Sequence, residues 1–145
     1  MTITTSAAKA FLREDIGLYF DDVDEVYSEI DFANAPFDKP EKISLNGPDR
    51  IWAAVRVNLG DRFTAGLGRN PLFRTIGIAT VMLFAKLNEG EGYIDAVAEN
   101  LRDNYEGKRL NSGTIKIRNP RIGLGRVSNG WWQVNVDLPF EFDSQ

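Results

Sequence analysis

Residues 132–143 read WQVNVDLPFEFD, and apolar and polar side chains alternate over these twelve positions. Successive side chains of a β-strand point to opposite faces of a sheet, so the alternation predicts a strand with one buried face and one polar face. Asn129 and Gly130 precede this stretch, and that dipeptide is typical of a tight hairpin turn. The chain is therefore expected to enter the strand from a hairpin whose other strand lies around Ile122 to Val127.

Four more strands are predicted upstream. Residues 73–86 are apolar at both parities, which is typical of a strand in the middle of a sheet. Residues 51–59 alternate between an apolar face and a mixed face. Shorter strands are predicted at about residues 26–32 and 115–118, and Pro120 ends the second.

Two segments have helical periodicity. Apolar residues recur at three- and four-residue spacings over residues 6–20 and 94–105, and Gly107 ends the second segment. The order is one helix and three strands, followed by a second helix and three strands. This order predicts a single α+β domain over residues 1–145, with an antiparallel or mixed β-sheet and both α-helices packed on one face.

Two connections are rich in glycine and proline. Residues 33–49 contain three prolines and are expected to form an ordered loop across an edge of the fold. Residues 60–71 contain three glycines and few anchoring groups, which predicts a long mobile hairpin loop. Gly66-Leu67-Gly68 lacks the remaining spacing of a phosphate-binding loop, so phosphate binding is not favoured.

The residue types present exclude much of the usual chemistry of enzymes. The 145 residues include no Cys and no His, which removes thiol and imidazole catalysis, disulfides and the common zinc sites. Paired carboxylates remain, but Asp137 and Glu141 are separated by about 13 Å if they lie four positions apart on one strand. We expect a protein that is not an enzyme and needs neither cofactor nor metal.

Apolar segments are too short for the membrane. The longest run, residues 76–85, is half of the about 20 residues that a spanning helix needs. Residues 1–10 have no basic segment followed by a sustained apolar stretch, as a secretory signal would. A soluble protein made in the cytoplasm is expected.

Charge is distributed unevenly along the chain. The net charge is −4, yet residues 1–49 hold 11 acidic and 4 basic side chains, whereas residues 50–145 hold 10 acidic and 13 basic ones. Residues 108–126 contain six basic side chains and no acidic one. This stretch is either a solvated face or a contact for an acidic protein surface, since the negative net charge and scarce aromatics disfavour nucleic-acid binding.

Candidate contact residues follow from these patterns. Glycines raise the entropy of the predicted loop, and its charged and apolar side chains offer contacts to a partner. Trp131 has the parity opposite to Trp132, so it is expected to be exposed or at an interface, where Trp is enriched. The candidate subunit or partner interface comprises Arg62, Phe63, Leu67, Arg69, Lys116, Arg118, Arg121 and Trp131.

Several short segments also follow the N-terminal helix in a distinctive order. They are Asn34-Ala35-Pro36-Phe37, Trp52-Ala53-Ala54-Val55-Arg56-Val57, Gly66-Leu67-Gly68, Phe73-Arg74-Thr75-Ile76-Gly77, Gly90-Glu91-Gly92 and Trp132-Gln133-Val134-Asn135-Val136-Asp137-Leu138-Pro139-Phe140. In order and spacing they resemble the tail-terminator family of long-tailed bacteriophages, over about residues 6–143. The segment of residues 38–49 is longer than the corresponding segment expected for the family.

The resemblance implies a structural virion protein. Such a protein forms a ring, usually hexameric, that caps the tail tube, stops its polymerisation and offers an attachment surface to the head-side connector. It implies three partners, namely further copies of the chain, the tail tube protein and the head–tail connector protein, while phage DNA passes through the ring. The expected location is the head-proximal end of the virion tail.

Two alternatives remain open at this point. One is another phage neck or head–tail completion protein, and the other is a monomeric module that binds a small ligand. Independently of the family, the acidic N-terminal third and the basic stretch at residues 108–126 favour contact between unlike patches of neighbouring copies.

Overall fold

The computed structural model describes residues 2–23, 26–33, 51–69, 71–88 and 90–144. The loop expected over residues 33–49 lies outside the described residues except for Ala33. The Asn34-Ala35-Pro36-Phe37 segment lies outside them entirely.

Two helices and eight strands make up the described chain. They are α1 (Thr5–Asp21), β1 (Val26–Phe32), β2 (Ile51–Thr64), β3 (Phe73–Lys86), α2 (Gly92–Tyr105), β4 (Arg109–Leu110), β5 (Ile115–Ile117), β6 (Arg121–Ile122), β7 (Arg126–Ser128) and β8 (Trp131–Ser144). Both predicted helices are present, and so is every predicted strand. The sheet nevertheless has more strands than predicted, because β4 is added and the strand expected around Ile122 to Val127 is divided into β6 and β7.

The strands form one mixed sheet. Its order is β1-β2-β3-β8-β5-β4, and β6 and β7 also pair with β8. β1 runs parallel to β2, whereas the other pairs are antiparallel. β3 pairs with β2 on one side and with β8 on the other, which confirms the central position predicted from its apolar character. The prediction of an α+β domain with a mixed sheet and two helices is confirmed.

The main core lies between the helices and one face of the sheet. Buried side chains of both helices, such as Leu12, Ile16 and Leu101, join one apolar cluster with strand residues of a single parity, such as Val81 and Phe140. We call this side the helix-covered face. The opposite parity forms what we call the open face, since no residue of either helix belongs to the apolar cluster on that side.

Periodicity and capping account for α1. Its buried residues Ala8, Leu12, Ile16 and Phe20 recur every four positions and form a single stripe. The Thr4 hydroxyl accepts a hydrogen bond from the backbone N–H of Ala7 at 3.2 Å, which satisfies one of the free donors at the helix start.

A buried tyrosine links the two helices. The Tyr105 hydroxyl donates a hydrogen bond to Asp15 Oδ2 at 2.6 Å, so α2 is tied to α1 near the end of α2. Burial, together with this hydrogen bond to a carboxylate, raises the pKa of Tyr105. The phenol therefore stays protonated and remains a donor at any ordinary pH.

The hairpin between β2 and β3 differs from the predicted loop over residues 60–71. Residues 60–64 belong to β2 and pair with β3 as far as Thr64 opposite Phe73. The register shifts between Leu59 and Arg62, so a β-bulge absorbs Gly60 and the strand continues beyond it. The loop itself is confined to residues between Thr64 and Phe73, and its mobility stays a prediction.

Membrane insertion through a helix finds no support in the part of the chain that the structure describes. Neither α1 nor α2 combines the length and the apolar character that crossing a bilayer requires.

Candidate assembly surface

An ion pair between two neighbouring strands lies at one end of the open face. Arg74 on β3 lies opposite Asp143 on β8, and its Nε donates to Asp143 Oδ1 at 2.8 Å while a second nitrogen reaches Oδ2 at 3.2 Å. This two-point contact lowers the pKa of Asp143 and raises that of Arg74. Two strands are thereby fixed to each other near the chain terminus.

The carboxylates in the middle of β8 also have partners. Glu141 is only 7% exposed, and its Oε1 accepts a hydrogen bond from Arg118 at 2.7 Å. Asp137 Oδ1 accepts one from the Thr80 hydroxyl at 2.9 Å. Arg118 was predicted as an outward contact residue, and it is exposed, but its side chain also pairs with a buried carboxylate of its own chain. It follows β5 and is held there because its backbone N–H donates to the Pro139 carbonyl at 2.7 Å.

An apolar groove lies along the open face beside these pairs. Its volume is about 570 Å³, and Ile76, Ile78 and Pro139 are among its lining residues. Ile76 is 41% exposed and Ile78 is 38% exposed, although both lie on the central strand β3. Arg118 and Arg121 also line the groove. The groove therefore offers both apolar and cationic contacts to a partner.

The basic stretch predicted from sequence supplies further cations to this face. Lys116 lies opposite Glu141 and Arg121 lies opposite Asp137, so both share the face of those carboxylates. Among the described residues, Lys116 and Arg121 form no ion pair. Lys116, Arg118 and Arg121 thus lie on the same side of the sheet, and within the described residues Arg118 alone of the three forms an ion pair.

Trp131 occupies the other end of the open face. Its ring meets Trp52 edge-on at 5.7 Å, and Trp52 stacks on Phe84 at 4.0 Å. Trp131 is therefore half-buried, since it packs against a small cluster of its own chain that contains Trp52 and Phe84. It reaches this cluster because β8 pairs with β3, the strand that carries Phe84. Trp132 packs against the main core on the helix-covered face, as its parity predicted.

The four candidate contact residues of the hairpin do not form one surface. The Arg62 guanidinium lies over the Phe73 ring at 4.2 Å, whereas Phe63 pairs with Arg74 and so belongs to the open face. Leu67 and Arg69 lie in the turn, where Leu67 is 97% exposed. The prediction treated these residues as one flexible loop, but strand geometry separates them.

The helix layer has the opposite charge. Residues 2–23 and 91–106, which contain the helices, carry nine carboxylates and three cations. Leu18 of α1 is 60% exposed in this acidic layer. Leu18 was not among the predicted contact residues, although its position outside the apolar stripe of α1 already indicated that it would be exposed.

The exposed isoleucines of the groove were also missed. Two predictions taken together indicated them. The central strand was predicted to be apolar on both faces, and the two helices were predicted to cover one face of the sheet. Together these leave apolar side chains of β3 without a cover. The structure places Ile76 and Ile78 in that position.

Comparison with known proteins gives a fold but no function. No protein-family model matches the sequence, and no curated protein matches it. A solved structure whose name carries no functional description has a TM-score of 0.67 and 14% sequence identity, over 97% of this chain and 96% of that one. At this identity the likeness concerns the fold alone. The two chains share it over nearly their full lengths.

No acid cluster suited to a metal is found in the described ranges, where no group of three or more acidic side chains is placed to hold an ion. Within the described residues, the open face places two cations without an ion pair, Lys116 and Arg121, on the same side as the exposed Ile76 and Ile78, a combination suited to binding another surface. The helix layer offers the complementary acidic surface. These two surfaces are the candidate assembly sites of the chain.

Proposed function

We propose that this protein is a structural component of a bacteriophage virion, of the tail-terminator type. It forms a ring that caps the tail tube, stops its polymerisation and presents an attachment surface to the head-side connector. The observation that carries the proposal is the order and spacing of the sequence segments that resemble this family over about residues 6–143. The protein acts without catalysis, metal or cofactor.

The surface of the domain supports assembly into a ring. Its helix layer is acidic, and its open face has, among the described residues, two cations without an ion pair on the side of the apolar groove. Unlike surfaces on opposite sides of one domain favour head-to-tail contacts, which close into a ring when the rotation between neighbours permits. Complementary charge steers such an association and fixes its register.

The ring belongs at the head-proximal end of the virion tail, after synthesis of its subunits in the host cytoplasm. Its partners are further copies of the chain, the tail tube protein and the head–tail connector protein. DNA passes through the ring without sequence-specific contacts.

Assembly is tested directly on purified protein. We expect closed rings, most often hexamers, above a threshold concentration, seen by light scattering and by negative-stain imaging. A protein that is monomeric at every concentration, and also when tail tubes are added, would contradict the proposal.

The related alternative is another neck or head–tail completion protein of the same virion. The two differ in what they bind, because a terminator binds the end of the tail tube whereas a connector-side protein binds the portal complex. Pull-down with tail tube protein and with connector protein in parallel separates them.

The groove supports a second candidate of a different class, a monomeric module that binds a small ligand. Its volume of about 570 Å³ lies within the usual range for ligand pockets. The exposure of Ile76 and Ile78 argues against this candidate, since a ligand there would remain partly in water. A monomer whose thermal stability rises with a small apolar compound would favour it.

A further inference from the structure

We propose that the groove on the open face receives Leu18, with the carboxylates around it, from the α1 helix of a second copy of this chain. The inference deepens the proposed function, since it names the contact between neighbouring subunits of the ring. In this contact the acidic helix layer of one copy packs against the basic open face of the next copy.

The receiving side combines apolar groups with charges of both signs, and its two carboxylates, Asp137 and Glu141, already accept hydrogen bonds from Thr80 and Arg118 of the same chain. Ile76, Ile78 and Pro139 line the groove, and no helix of the same chain covers them within the described residues. Arg121 lines the groove, and Lys116 lies on the same face opposite Glu141. An occupant that presents an apolar side chain together with carboxylates would remove the isoleucines from water and neutralise both cations.

The α1 helix presents such a combination. Leu18 is exposed, and Glu14 precedes it by four residues while Asp21 and Asp22 follow it by three and four. Residues three and four apart lie on the same side of a helix, so the three exposed carboxylates surround the leucine. None of them forms an ion pair among the described residues. Within that part of the chain, all three can meet cations of a second copy without breaking an ion pair.

Other exposed leucines fit the groove less well. Leu67 is 97% exposed and Leu124 is 95% exposed, so both are more accessible than Leu18. Their nearest charged neighbours along the chain are arginines, Arg69 for the first and Arg126 for the second. Cations beside the leucine would repel the cations of the groove. Leu59 lines the groove itself and Leu87 follows Lys86, so among the exposed leucines of the described residues Leu18 is the one selected as the occupant.

The geometry fixes the type of contact. The groove and α1 lie on opposite sides of the sheet, so one chain cannot fill its own groove. Each copy instead gives its helix to one neighbour and its groove to the other, which is a heterologous contact. Such contacts build the ring that the proposed function requires.

Two charge-reversal variants test the docking. A groove variant carries Lys116→Glu and Arg121→Glu, and a helix variant carries Glu14→Lys and Asp21→Lys. We expect each variant alone to raise the dissociation constant of self-association at least tenfold in low salt, measured by sedimentation velocity. A matched control with Glu99→Lys and Glu106→Lys changes the same charge on α2, away from Leu18, and should weaken association less than the helix variant does.

Mixing the two reversed variants gives the sharper result. The unchanged helix of the groove variant fits the unchanged groove of the helix variant, and the two reversed surfaces also attract each other. We therefore expect an equimolar mixture to recover rings that neither variant forms alone. Leu18→Ser, which changes no charge, should also weaken association at least tenfold.

Folding of each variant is checked by its thermal melt, and recovery in the mixture itself shows that both are folded. Self-association of the single variants equal to that of the wild type, or no recovery in the mixture, overturns the docking. Rings that form regardless of these variants leave the proposed function standing with a different interface. If the variants change ring formation as expected while the rings neither bind tail tubes nor limit their length, the docking is supported and the proposed function is overturned.

Discussion

At the scale of single residues, pairing within the chain decides what each charge on the open face contributes. Arg118 reaches Glu141 across 2.7 Å, and Glu141 is almost fully buried, so this arginine stabilises the fold. Lys116 and Arg121 have no such partner among the described residues. Sequence pattern predicted that Lys116 and Arg118 share an outward face, but it could not reveal that a carboxylate on another strand already holds Arg118.

The Arg118 to Ala substitution tests this distinction. Removal of the guanidinium leaves a buried carboxylate without its partner, which should lower the free energy of unfolding by about 1 to 2 kcal/mol. Arg121→Ala removes an unpaired surface cation and should change it by less than about 0.5 kcal/mol. Urea denaturation of both variants measures the difference, and equal stabilities would contradict the structural role of Arg118.

The ion pair of Arg74 and Asp143 predicts a dependence on pH. The pKa of Asp143 in the folded protein lies below its ordinary value of 3.8, because Arg74 favours the charged carboxylate. A carboxylate whose pKa is lowered by folding stabilises the protein above its unfolded pKa, and this contribution is lost as the pH falls through the folded pKa. Asp143→Asn should therefore be less stable than the wild type at pH 7, with a difference that begins to shrink below about pH 4 and is lost only below the lowered pKa of Asp143 in the folded protein. Thermal melts across this range would show a constant difference if the pair contributed nothing.

At the scale of secondary structure, local pattern accounts for most elements. Apolar residues at three- and four-residue spacings predicted α1 and α2, each of which buries one side against the core, and two-residue alternation predicted β2 and β8. The first five residues of β2 are buried at both parities. The periodicity of apolar residues did not predict the elements whose formation depends on pairing with another strand. Residues 60–64 read as a glycine-rich loop, yet the bulge near Gly60 lets them continue as a strand beside β3. The two-residue strands β4 and β6 are too short for any periodicity to reveal.

Gly77 on β3 tests how tightly the sheet is packed. A β-carbon there would lie 2.7 Å from the Asn58 carbonyl oxygen and 2.7 Å from the Phe140 ring. Gly77→Ala should therefore lower the free energy of unfolding by about 1 to 3 kcal/mol through overpacking. Gly92→Ala at the start of α2 meets no atom within 4 Å and serves as the matched control. Loss of stability in the control, or none at Gly77, would contradict the strand packing.

The turn of the β2–β3 hairpin provides a test of ordering on assembly. Leu67 and Arg69 are exposed there, and Gly68 has a φ of 131°, a conformation that few other residues adopt. The backbone N–H groups of Ala65 and Gly66 donate to the Leu72 carbonyl, so we expect rapid exchange in the free protein, and slower exchange in the ring, at residues 67–69. Hydrogen exchange followed by mass spectrometry checks this, and equal protection in both states would count against a role of the turn in assembly.

At the scale of the whole molecule, the domain has two unlike sides. The sequence already indicated this division, since acidic residues dominate its first third and a basic stretch lies at residues 108–126. Folding converts that separation along the chain into an acidic helix layer and an open face with unpaired cations. Exposed charges interact over about 10 Å at 0.1 M salt, so association between the two sides should weaken as ionic strength rises. Sequence could not locate the groove itself, because its walls come from β2, β3, β8 and the segment around Arg118.

Growth of tail tubes in the presence of this protein tests most directly whether the protein terminates them. Tail tube protein is polymerised with and without it, and tube lengths and tube ends are recorded by electron microscopy. A terminator should bind as a ring to one end of each tube and halt further growth, so that lengths stop increasing once the ends are capped. Tubes that continue to grow at the same rate, with both ends bare, would contradict the account.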